Sequence, residues 1–93
     1  METRVAVIAI IVENPDAVEQ INQLLHTHSD AIIGRMGVPY RQKGVSIISI
    51  AVDAPQNTIN TLAGSIGKLP GVSAKTLYSN IMVHSVPDAE NAV

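Results

Sequence analysis

The sequence predicts an α+β fold, in which one four-stranded antiparallel sheet carries two helices on a single face. Three observations predict it. Two runs, "RVAVIAIIV" from Arg4 and "VSIISIAV" from Val45, are apolar, β-branched and of strand length. Each is followed by a stretch with apolar residues at three- and four-residue spacing, the mark of an amphipathic helix. Both halves of the chain then follow one plan: strand, acidic or amide residue, proline, helix, turn, strand.

Taken in order, the first strand covers Arg4 to Val12. Its lack of alternation predicts that both of its faces are covered. In "ENPD", Asn14 suits an N-cap, Pro15 the first helical position, and Asp16 the positive end of the helix. The first helix runs to about His28, with Val18, Ile21, Leu24, Leu25 and His28 on its buried stripe. Ala31 to Val38 is a second strand, weakened by Gly34 and Gly37, and "PYRQKG" is a polar connection. Val45 to Val52 is the third strand. Asp53 and Pro55 repeat the capping device ahead of a second helix over Gln56 to Lys68. That helix buries Ile59, Leu62, Ala63, Ile66 and Leu69, while Gly64 and Gly67 permit close approach to the sheet. Pro70–Gly71 suits a type II turn, and Val72 to Tyr78 alternates as a final strand. The order β-α-β-β-α-β is that of the ferredoxin-like plait. One domain over residues 1–79 is expected. A C-terminal tail over 80–93 begins with "NIMVHS", expected either to continue a strand or to cover a sheet edge, and ends in a disordered segment.

Composition narrows the function classes. The chain has no cysteine, which removes disulfides, thiol catalysis and cysteine-held zinc or iron–sulfur centres, and fits a cytoplasmic setting. Six basic residues against eight acidic ones, with two tyrosines as the only aromatics, provide neither a basic face nor stacking platforms. Direct nucleic-acid binding by this chain alone is therefore not expected. Arg4 ahead of "VAVIAIIV" imitates a signal peptide. However, Glu2 precedes the run, "ENPD" follows it, and it is too short to span a bilayer, so no membrane association is expected.

A lone plait exposes one sheet face, so its strands should alternate. Here Val5, Val7, Ala9 and Ile11 oppose Ala6, Ile8, Ile10 and Val12, and the third strand is also largely apolar on both sides. An apolar face of that extent predicts self-association as a dimer or tetramer, unless the "NIMV" segment folds over it.

The words "VENPDAVEQINQLL" and "IGKLPGVSAKTL" resemble the ACT-like regulatory domains. Together with "IIGRMGVPYRQKGVSIISI" they more closely resemble the small family of iron-only hydrogenase system regulators. The fold of that family is similar to the ligand-sensing C-terminal domain of the nickel-responsive repressor. The resemblance covers about residues 3 to 79. It implies a non-catalytic regulatory or sensing module that acts through oligomer assembly, with a small-molecule effector at a subunit interface. The alternative is a structural or adaptor subunit that binds a protein partner without a small ligand. The chain departs from ligand-binding ACT domains in having no glycine between Glu13 and Asp16. It departs from the nickel repressor in having no cysteine, so neither a metal nor another cofactor is expected.

The candidate ligand or interface residues are Asn14, Gly34, Arg35, Met36, Gly37, Tyr40 and Arg41. The two glycines let a ligand approach the backbone, and the arginines donate to a carboxylate or phosphate. Glycines within a strand more commonly mark a bulge or the close packing of another chain, and that reading is preferred. His26 and His28 are two apart and point in different directions on a helix. That favours C-terminal capping over a metal pair. Glu13 and Asp16 lack the nucleophile or electrophile that acid–base catalysis needs, and no catalytic residue is assigned.

Overall fold

The computed structural model describes residues 2–80 of the chain. The expected edge-covering segment and tail lie outside them, apart from Asn80. The elements follow the expected order: β1 (Arg4–Val12), α1 (Ala17–Thr27), a 3₁₀ turn (Ser29–Ala31), β2 (Ile32–Tyr40), β3 (Val45–Ala54), α2 (Gln56–Gly67) and β4 (Val72–Tyr78). The strands form one antiparallel sheet in the order β2-β3-β1-β4. β1, the most apolar strand, therefore lies inside the sheet, hydrogen-bonded on both edges. This is the α+β plait that the sequence predicts.

The core lies between the sheet and the helices. Ala6, Ile8, Ile10 and Val12 of β1 and Ile48, Ile50, Val52 and Ala54 of β3 point into it. They meet Ala17, Ile21 and Leu25 of α1 and Ile59, Leu62 and Ile66 of α2. Each fully buried isoleucine contributes about 1.5–3 kcal/mol by leaving water. The period of 2 in the strands and the 3.6-residue period in the helices thus converge on one layer. Ala63 and Leu69 pack partly buried at its margin.

Several boundaries differ from expectation, each for a local reason. Asn14 does not cap α1 directly. Its Oδ1 accepts the Asp16 N–H at 3.1 Å, its carbonyl accepts the Ala17 N–H at 3.0 Å, and Asp16 becomes the N-cap. Asp53 is not a cap at all. Pairing of Arg4 with Ala54 extends β3 through it, and Pro55 stands at the N-cap of α2 without a side-chain bond. β2 continues through Pro39 and Tyr40, which shortens the connection to residues 41–44. Pro39 is tolerated because β2 is an edge strand, where one side of the ladder needs no donor. Gly64 makes no close approach: a Cβ there would have nothing within 4 Å.

Pro70–Gly71 forms the turn expected of it. Gly71 has φ +75°, and the Val72 N–H reaches the Leu69 carbonyl at 3.2 Å. This turn is pressed against "ENPD". The Glu13 N–H donates to the Gly71 carbonyl at 2.7 Å, and a Cβ on Gly71 would come within 2.6 Å of the Asn14 Cβ.

Candidate functional site

The alternation that fills the core sends the other half of each strand outward. Register places three rows across this outer face, written from β4 to β2. They are Leu77–Val7–Ala51–Gly34, Lys75–Ala9–Ser49–Met36 and Ser73–Ile11–Ile47–Val38. Beyond the last row, Tyr40 pairs with Val45. Among the described residues the face is apolar and open: Leu77 is 74% exposed, Met36 67% and Val38 54%. Val5, Val7, Ile11 and Ile47 are also large exposed hydrophobics. Hence β1, expected to be covered on both faces, is covered on one face only by the described residues.

The seven residues singled out from the sequence separate into three places. Gly34, Met36 and Tyr40 lie on the open face, opposite Ala51, Ser49 and Val45. A Cβ on Gly34 would have nothing within 4 Å. Arg35 and Gly37 point the other way, toward the helices, in register with buried Ile50 and Ile48. The Arg35 guanidinium donates to Asn22 Oδ1 of α1 at 3.0 Å, so its partner belongs to its own chain. A Cβ on Gly37 would make only ordinary contacts at 3.9 Å. The register shift that sequence reasoning allowed for does occur. It falls between Ile32 and Gly34, leaving Ile33 as the extra residue.

Asn14 and Arg41 lie in loops at one end of the sheet, where β1 ends and β2 turns into β3. Asn14 is engaged there by its own chain: its Nδ2 approaches the Pro70 carbonyl at 3.5 Å. Arg41 is exposed in the hairpin loop, which closes with the Gly44 N–H donating to the Arg41 carbonyl at 3.2 Å. The seven candidates do not converge on one cavity.

Two features escaped sequence reasoning. A shallow cleft of about 390 Å³ runs between the helices, lined by Gln20, Gln23, Leu24, Thr27, Ser65 and Leu69. Its amides and hydroxyls had the pattern of a solvated helix face, and only the helix pairing brings them together. At the opposite corner, Arg4 stacks over the Tyr78 ring at 4.5 Å and donates to Gln56 Oε1 at 3.1 Å. The Tyr78 hydroxyl donates to Asn60 of α2 at 2.5 Å, which ties β4 to that helix.

The His28 Nδ1 lies 2.9 Å from the Leu24 carbonyl, which can only accept, so the ring donates and caps the end of α1. Among the described residues no three His, Cys, Asp or Glu side chains form a group that could hold a metal ion. No helix among them is long and apolar enough to cross a membrane.

Comparison with known proteins gives these features a family. Residues 4–76 match the model of the TM1266-like family, described as "Iron-only hydrogenase system regulator, putative". The chain is also similar to the solved structure of the protein TM1266 from Thermotoga maritima. Identity is 35%, the TM-score is 0.79, and the match covers 83% of this chain and 98% of that one. None of the curated proteins matches the chain. A family match from β1 into β4, with the same fold in a solved relative, shows that the chain belongs to the TM1266-like family.

Proposed function

We propose that this chain is a non-catalytic regulatory module of the cytoplasm that acts by assembling with copies of itself, and that a small effector at a subunit interface shifts that assembly. One observation carries the reading. Among the described residues, the sheet leaves an apolar face uncovered from Leu77 on one edge strand to Met36 and Val38 on the other. Monomeric soluble proteins seldom leave a contiguous patch of that kind uncovered. An effector that prefers one arrangement of protomers draws the population toward it. Gly34, Met36 and Tyr40 on the face, with Arg41 at its end, are the groups such an effector would meet.

Size exclusion with light scattering tests the assembly, and a clean monomer at micromolar concentration sinks it. Thermal-shift screening with amino acids, nucleotides and divalent metal ions tests the effector. Any ligand that binds only the folded assembly must raise its melting temperature.

The separation of Arg35 and Asn14 from the open face favours a second reading, in which the module is an adaptor without a small ligand. That reading expects blank ligand screens and a stoichiometric protein partner in a pull-down.

A further inference from the structure

Among the described outward-facing strand residues, only Lys75 and Asp53 are charged. Lys75 sits in the middle row on β4, and Asp53 lies beside Val5 at the far end of β3. They are two strands and four residues apart in register, a separation of about 16 Å from strand spacing and rise. Neither has an ion-pair partner among the described residues.

We infer that two copies of the chain pack open face on open face with their strands crossing near a right angle, so that Lys75 of each protomer meets Asp53 of the other. This rests on the reading that the chain assembles through that face. The large apolar side chains there expose roughly 700 Å², close to the ~800 Å² per partner of a standard interface. The two charges then select the arrangement.

A two-fold axis between facing sheets reflects every position across itself. With the axis along the strands through the centre of the face, Lys75 comes to rest on the partner's Met36. With the axis across the strands, it rests on the partner's Leu77 when the axis lies midway between their rows, and on the partner's Lys75 when the axis lies along the middle row. Each leaves the charge buried without a counter-ion, which costs several kcal/mol. A diagonal axis that bisects the directions to Lys75 and Asp53 superposes the two. It turns the partner's strands by close to 90°, one of the two packing classes that sheets adopt. The same axis lays the partner's Ile11 over the space at Gly34, where among the described residues nothing lies within 4 Å of a Cβ.

Charge exchange in the full-length chain tests the pairing, with assembly mass followed by light scattering over a concentration series and circular dichroism as the folding control. Lys75→Asp and Asp53→Lys should each weaken assembly at least about tenfold through like-charge contacts. The double variant should restore it. Equimolar mixing of the two single variants should also restore it, because both contacts are then complementary, an outcome that no contact within one chain produces. Single variants that assemble like the wild type overturn the pairing, as does failure of both the double variant and the mixture to recover. In either case a wild-type oligomer leaves the assembly reading standing. A monomeric wild type overturns both.

Discussion

Gly71 and Gly34 show how differently two glycines constrain one chain. At Gly71 the backbone has φ +75° and a Cβ would lie 2.6 Å from that of Asn14. Gly71→Ala is therefore expected to cost about 2 kcal/mol or more, read from the urea midpoint. Gly44→Ala, with φ +68° but open space around it, should cost less, about 1 kcal/mol. At Gly34 neither obstacle exists, and Gly34→Ala should leave protomer stability within about 0.5 kcal/mol of wild type. If that variant still weakens the assembly, the hollow belongs to the interface. The sequence singled out "GRMG" but could not divide it. Which side Arg35 takes depends on the extra residue at Ile33, which reverses the alternation that a simple reading of the strand assumes.

Elements were legible where periodicity was strong and less so where pairing decided. β4 spans Val72–Tyr78 as expected, and the buried stripe of α2 falls on Ile59, Leu62 and Ile66. The misplaced boundaries, Asp53 and Pro39, lie where a neighbouring strand extends the ladder beyond local preference. Gly64 was assigned a packing role from its place in an apolar helix, yet it faces open space. Its substitution by alanine should raise stability by about 0.5–1 kcal/mol in a thermal or urea melt, through helix propensity alone. By contrast, Ile66→Ala, at a fully buried site, should cost about 2–5 kcal/mol.

For the whole molecule, the open face was visible in advance because its cause is compositional: two strands without alternation cannot both be half-solvated. The cleft between the helices was not, since it exists only once two separate helices are laid side by side. Ile47→Lys, on the open face, should lower the assembly mass while leaving the circular dichroism spectrum of the fold intact. Arg35→Ala, on the helix side, should leave that mass unchanged. The strand order β2-β3-β1-β4 has a consequence during synthesis. The two halves look like repeats, yet among the described residues β1 pairs only with strands of the second half. At translation rates of about 5–20 residues per second, its first partner emerges several seconds after β1 itself. Until then the most apolar segment of the chain stays exposed at the ribosome, where holdase chaperones would find it. The two halves cannot fold in turn, and the nascent protein has to be kept soluble until β3 arrives.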